Sequence, residues 1–371
     1  MKKHMIILTM LICLIAGCTD GSLSSEQSAL TQESSSSANS SKSTDINSNE
    51  TNPPLTLTSE IKRLENGLSA VKYEGDYGFE EFLANGGASS DEGVVKYLSG
   101  VLSGVDGFSF GRMPFGCSTI SVENRNGGYL FGRNFDWNRC NAMIVHSVPQ
   151  SGYSSISTVN TDFINMSGMK TDDFPDNAQA VIAMYAPLDG MNEKGLAVSV
   201  NMIEDNETIS QNTDKPDITA TTAIRLLLNK AASVDEAVEL LKQYDMHASM
   251  GFMTHFAIAD NGGKSVVVEY INNEMQVMET PVVTNFYLAE GEKQGIGTAQ
   301  SHERYDILMN VRDEKSVMNR EDVRDALSSV SKGNFGEFES TEWSIVFDQS
   351  SGEVSYYHRE NYDKRYLFSV K

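Results

Sequence analysis

Cys117, Arg133 and Asp136 are the residues in this 371-residue chain around which chemistry can be built. A thiol attacks as its thiolate, and a guanidinium nearby favours that form. Cys117 follows Gly116 and opens the run Ser118-Thr119-Ile120-Ser121-Val122, which reads as a strand. Asn126-Gly127 signals a tight turn of type I′, and Tyr129 to Asp136 reads as the returning strand. A two-residue loop there opposes Cys117 to Asp136. Arg133 and Asp136 are three positions apart and cannot share a face of a regular strand. If both serve the thiol, a bulge is expected between them. Glycine at 116 leaves the backbone before the thiol little hindered. Cutting at Gly116–Cys117 would free an α-amine of pKa about 7.7–8.0, well matched as base for a thiol near about 8.5. No separate histidine is then needed.

The surrounding pattern predicts the elements that position these residues. Leu55 to Lys72 reads as strand, turn and strand, Gly78 to Ala84 as a short helix, and Ser89 with Glu92 as a capping box opening a helix through Val94, Leu98 and Val101. Strands are expected at Met143–Val148, Ser154–Val159 and Val181–Tyr185. A loop, Asp189-Gly190-Met191-Asn192-Glu193-Lys194-Gly195, then leads into a strand at Leu196–Asn201. Helices follow at Thr221–Ala232 and Ala237–Tyr244, then a hairpin of Phe252–Asp260 and Ser265–Ile271 about Asn261-Gly262-Gly263. Short strands over Met275–Thr284 end at Asn285. Helices His302–Val311 and Glu321–Val330, a hairpin of Glu342–Phe347 and Val354–Tyr357, and a strand Tyr366–Val370 complete the chain. Strands in hairpins, helices in pairs and no repeated βαβ unit make an α+β layered architecture.

Composition narrows the partners. A net charge of -22 and a pI near 4.6 argue against a nucleic-acid partner, whose phosphates need basic residues. The cysteines Cys13, Cys18, Cys117 and Cys140 form no metal-binding pair and the six histidines no zinc signature, so no metal is expected. Residues 1–17 carry Lys2 and Lys3 before an apolar run too short to span a bilayer comfortably, as in a signal peptide. The run ends Leu14-Ile15-Ala16-Gly17-Cys18, which resembles the lipobox of bacterial lipoproteins and implies lipidation of Cys18. Residues 18–54, rich in Ser, Thr, Asn and Gln, read as a flexible tether. The expectation is a lipid-anchored protein of the bacterial cell envelope, held outside the cytoplasm, with residues 55–116 as a helical prosegment region and 117–371 as the working domain. Oligomeric state is open, a homo-oligomer included.

Cys117, Leu130-Phe131-Gly132-Arg133-Asn134-Phe135-Asp136 and Asp189-Gly190-Met191-Asn192-Glu193-Lys194-Gly195-Leu196 together resemble the choloylglycine hydrolase/penicillin V acylase family of N-terminal nucleophile hydrolases, from Cys117 to the C-terminus. The resemblance implies a four-layer αββα sandwich and hydrolysis of linear, non-peptide amide C–N bonds in small N-acyl compounds without a cofactor. It implies Cys117 as nucleophile, Arg133 beside the thiolate and Asp136 on the free α-amine. Asn285 matches an oxyanion-hole asparagine and Arg304, in Ser301-His302-Glu303-Arg304-Tyr305, a second site arginine. Asn201 matches a further polar site residue after a one-residue gap. With 116 residues before the thiol, the Gly116-Cys117 junction resembles the self-cleaving acyltransferase and acid amidase branches, and autoproteolysis is expected there.

Two other readings use the same residues. A papain-like site would employ Cys117, His255 and Asn285, but such a nucleophile opens a helix whereas Ser118–Val122 reads as strand. A lipid-anchored binding protein would leave Cys117 with an ordinary thiol's reactivity. Conjugated bile acids, phenoxyacetyl amides such as penicillin V, N-acyl amino acids and fatty acyl amides all remain open as substrates.

Overall fold

A computed structural model describes residues 53–102, 109, 115–165, 174–291, 295–333 and 339–371. The leader, Cys18 and nearly all of the tether lie outside the described residues. The first part of the chain forms β1 (Lys62–Glu65), β2 (Leu68–Gly75), α1 (Phe79–Ala84), α2 (Asp91–Val101), β3 (Gly116–Asn124), β4 (Tyr129–Trp137), β5 (Ala142–Pro149), β6 (Ser155–Asn160) and α3 (Thr161–Asn165). The middle forms α4 (Asp176–Tyr185), β7 (Asp189–Asn192), β8 (Ala197–Ile203), β9 (Asp217–Thr219), α5 (Ala220–Lys230), α6 (Val234–Leu241), β10 (Asp245–His247), β11 (Met253–Ala259), β12 (Ser265–Ile271) and β13 (Glu274–Glu279). The last part forms β14 (Val282–Val283), α7 (Ala299–Glu314), β15 (Val317–Met318), α8 (Arg320–Ser329), β16 (Ser340–Asp348), β17 (Glu353–His358) and β18 (Arg365–Ser369).

These elements make four layers. One sheet has nine strands in the order β1-β2-β5-β6-β7-β8-β11-β12-β13, and α4 and α5 pack on it. The other has the order β14-β3-β4-β16-β17-β18, with β15 also on β3, and carries α7 and α8. Between the sheets β3 meets β8. Helix α5 is held down by Arg225, fully buried, whose guanidinium donates to the Met184 carbonyl and the Ser155 and Ser157 hydroxyls. The stretch 55–102 supplies β1 and β2 to the nine-stranded sheet, β2 lying parallel to β5.

Two elements differ from expectation. Val181–Tyr185, read as a strand, is the C-terminal half of α4, a helix buried over Ala178 to Tyr185. An all-apolar run has no face, so its period cannot separate a buried helix from a buried strand. Asp189-Gly190-Met191-Asn192, read as loop, is β7, paired to β6 and β8. Helix α2 is capped by Ser90, whose hydroxyl accepts from the Gly93 N–H, one residue later than the expected Ser89.

The β3–β4 hairpin also departs by one residue, and this decides the site. Gly127 N–H donates to the Asn124 carbonyl, and the positive φ angles fall on Gly127 (94°) and Gly128 (77°) rather than on Asn126. A type I′ turn needs both of its central residues there, so the loop is longer than the dipeptide suggested. Cys117 therefore opposes Phe135, and Asp136 opposes Gly116. The ladder runs regularly from Gly116–Asp136 to Glu123–Tyr129, without the bulge expected between Arg133 and Asp136. A register break lies instead in β16, between Thr341 and Trp343.

Alternation then sorts the hairpin's side chains. Cys117, Phe131 and Phe135 join the large core shared with the nine-stranded sheet, while Ile120, Val122 and Leu130 join a second core with Leu308 of α7 and Val323 and Leu327 of α8. Gly132 lies under α8, where a Cβ would come 2.7 Å from Val323 Cγ1.

Candidate active site

The thiol lies on the sheet-facing side of the hairpin. Cys117 is fully buried at the start of β3, its Sγ 3.7 Å from the Val200 carbonyl of β8. Arg133 emerges from the same side of β4, two residues from the Cys117 partner Phe135. Its Nε donates to Asp189 Oδ2 at 2.5 Å, and its Nη1 donates to Asn201 Oδ1 at 3.2 Å and to the Val200 carbonyl at 3.3 Å. Trp343 Nε1 donates to the same Asp189 oxygen at 3.0 Å. Among the described residues Arg133 Nη2 has no hydrogen-bond partner, a costly state for a buried donor and one that a substrate or thiolate would relieve.

Electrostatics pull the sulfur both ways. Burial pushes the Cys117 thiol up to about 11; Arg133 opposes this, Asp136 adds to it, and Arg304 acts with Arg133. Burial alone would weaken the charge on Arg133, but Cys117 and Asp189 outweigh it and hold the guanidinium's pKa up. The thiol of the uncut chain is thus mostly protonated at neutral pH and needs a base.

A second group of side chains grips the main chain of the same residue. The Cys117 N–H donates to Asn285 Oδ1 at 2.8 Å. Arg304, from α7, donates through Nη1 to the Cys117 carbonyl and to Asp136 Oδ2, both at 2.9 Å, and through Nη2 to Asn285 Oδ1 at 2.8 Å. Thr341 donates to the other Asp136 oxygen at 2.7 Å. Asn285 Nδ2 donates to the Met202 carbonyl. Around Gly116, a Cβ would meet Asp136 Oδ2 and Lys332 Nζ, each at 3.0 Å, and Lys332 is itself paired with Glu339.

The six residues singled out from the sequence are therefore brought together: Arg133 and Asn201 on the sulfur side, Asp136, Asn285 and Arg304 on the main-chain side, with Cys117 between. Asp189, Trp343, Thr341 and Lys332 complete the network and were not named as site residues. Asp189 had a signal, as first residue of the Asp-Gly-Met-Asn motif; the other three had none. His255 does not join the thiol, because its ring nitrogens are engaged by Glu269 and the Thr284 carbonyl. The papain-like arrangement fails on that geometry.

Two facing sheets between helix layers, with a cysteine opening a central strand, define a four-layer αββα sandwich of the N-terminal nucleophile hydrolase type. Residues 117–288 match the choloylglycine hydrolase family of linear amide C–N hydrolases. The chain is 29% identical over 184 residues to a bile salt hydrolase/transferase of Clostridium perfringens, covering 45% of this chain and 51% of that protein. It is 29% identical over 105 residues to a penicillin V acylase of Pectobacterium atrosepticum, covering 25% and 28%. The chain thus spans about half the length, or less, of these curated relatives. A crystal structure of a conjugated bile acid hydrolase variant from Clostridium perfringens shares the fold, with a TM-score of 0.52 at 19% identity over 68% of this chain and 92% of that one.

Proposed function

We propose that this protein hydrolyses linear amide bonds of small N-acyl compounds, with Cys117 as an N-terminal nucleophile freed by its own cleavage of Gly116–Cys117. The observation that carries the reading is the double grip on Cys117: a guanidinium on the side of its sulfur, and Asn285 and Arg304 on its main chain, with Asp136 paired to Arg304. Once the bond is cut, the Cys117 nitrogen becomes an amine beside the Asp136 carboxylate and takes the thiol's proton. The sulfur adds to the substrate carbonyl, and side-chain amides such as those of Asn201 and Asn285 stabilise the oxyanion. The ammonium returns the proton to the departing amine, leaving a thioester. Water, deprotonated by the same amine, cleaves the thioester to the carboxylic acid and restores the thiol.

The relatives' names point to conjugated bile acids and penicillin V as the first substrates to try, with N-acyl amino acids and fatty acyl amides beside them. The test is amine release from such a panel, with intact mass and N-terminal sequencing of the same sample. A fully active chain that remains uncut refutes the N-terminal nucleophile. Release of no amine from any member refutes the amidohydrolase reading. The proposal extends to location, through a lipid on Cys18, supported by Leu14-Ile15-Ala16-Gly17-Cys18 after a basic start. Incorporation of labelled palmitate that persists in Cys18→Ala refutes it.

A further inference from the structure

Asn285, which receives the Cys117 N–H, stands on a segment that no strand ladder holds: β14 ends at Val283, and residues 284–290 are irregular. Two buried residues from the nine-stranded sheet tie that segment down. His255 of β11, the register partner of Asn201 in β8, places Nε2 2.9 Å from the Thr284 carbonyl, the peptide group that leads into Asn285. Its Nδ1 lies 3.1 Å from Glu269 Oε1 of β12. That carboxylate also accepts the Leu288 N–H on Oε1 at 2.8 Å and the Ala289 N–H on Oε2 at 2.9 Å. The ring thus lies between the Thr284 carbonyl and the Glu269 carboxylate, and His255 and Glu269 form a fully buried pair.

Such a pair is a poor stabiliser, since desolvation offsets much of its attraction and apolar replacements are often no worse. What it supplies here is position. The pair fixes the asparagine segment on both sides of Asn285, before it at 284 and after it at 288 and 289. We propose that Glu269 and His255 are positioning residues that hold Asn285 in register with Cys117. Neither touches the reacting atoms; they act through the backbone that carries the amide. A misplacement of about 1 Å costs about 100-fold in rate, so a pinned segment is of value where an oxyanion donor must be placed. This inference rests on the amidohydrolase reading above.

The experiment measures steady-state hydrolysis of the best N-acyl amide by purified, cut wild type, Glu269→Gln, His255→Gln, Asn285→Ala and the double variant Glu269→Gln/Asn285→Ala, each normalised to titrated thiol. Glu269→Gln keeps the shape and loses the charge, and His255→Gln provides a second probe should that variant not fold. The expected result is a fall in kcat of about 10–100-fold with KM changed less than about threefold, and no further loss when Glu269→Gln is added to Asn285→Ala. A kcat within about twofold of wild type for the folded variants overturns the proposal. So does a loss that multiplies in full onto Asn285→Ala, because the pair would then act elsewhere. A wild type that releases no amine overturns this inference together with the reading beneath it, whereas an active wild type with unaffected variants overturns this inference alone.

Discussion

Two polar clusters meet at Cys117 from opposite sides of β4, and they hold different parts of the same residue. On the sulfur side Arg133, Asp189 and Asn201 join side chain to side chain across the space between the sheets. On the helix side Asn285 accepts the backbone N–H of Cys117 and Arg304 donates to its carbonyl, with Asp136 bound to Arg304 behind them. The first can tune the charge of a thiol and nothing else about it. The second holds the nitrogen that would become an amine on cleavage of Gly116–Cys117. Within them Arg133 favours the thiolate and Asp136 disfavours it, while Arg304 acts with Arg133.

The largest effect common to both clusters is loss of the residue between them. Cys117→Ala should remain uncut by mass and release amine roughly 10⁴–10⁶-fold more slowly; retained hydrolysis would remove the thiol from the mechanism. Next come substitutions that separate the two sides. Arg133→Gln and Asp136→Asn should each lower kcat/KM by roughly 10²–10³-fold, yet move the thiol oppositely. Alkylation of Cys117 at pH 8 should slow in Arg133→Gln, where the lowering charge is gone, and quicken in Asp136→Asn, where the raising charge is gone. Equal shifts in both variants would dissolve the distinction between the clusters.

A third prediction isolates acid effects that arise away from both sides. Burial lowers the pKa of His358, in β17, to about 4 from 6.5. The folded state therefore resists a proton that the unfolded chain accepts. Its contribution is fully present above about pH 6.5 and is lost as pH falls toward 4, by about 3 kcal/mol. Urea unfolding at pH 7 and pH 4.5 should show a smaller acid loss in His358→Gln than in wild type. The smallest effect is steric: Gly116→Ala brings a methyl within 3.0 Å of Asp136 Oδ2 and Lys332 Nζ. Cutting, followed by gel, should slow about tenfold while hydrolysis by the cut fraction is unchanged.

Much of this was legible from residue type and order. The hairpins β3–β4 and β11–β12 announced themselves through alternation and Asn-Gly or Gly-Gly turns, α5 through apolar spacing and α6 through its capping box. The candidate site was legible as residues but not as geometry. A bulge was expected in β4 so that Arg133 and Asp136 might share a target; the chain instead keeps β4 regular and lets its two faces serve the side chain and the main chain of Cys117. The bulge that exists lies in β16, where it sends Thr341 to Asp136 and Trp343 to Asp189. Nothing local announces it, because its purpose is defined by strands that arrive from elsewhere in the chain.

By itself the sequence determined a cysteine at a glycine junction, a hairpin returning an arginine and an aspartate, and the α+β class. These follow from short-range rules of spacing, turn chemistry and alternation. Tertiary structure alone decided the register that sets Cys117 against Phe135, the Arg133 partner 56 residues away and the Asp136 partner 205 residues away. The physical reason is that a strand's period is two: one residue of slip in a turn exchanges its faces, and which face is chemically useful depends on what the rest of the fold packs against each.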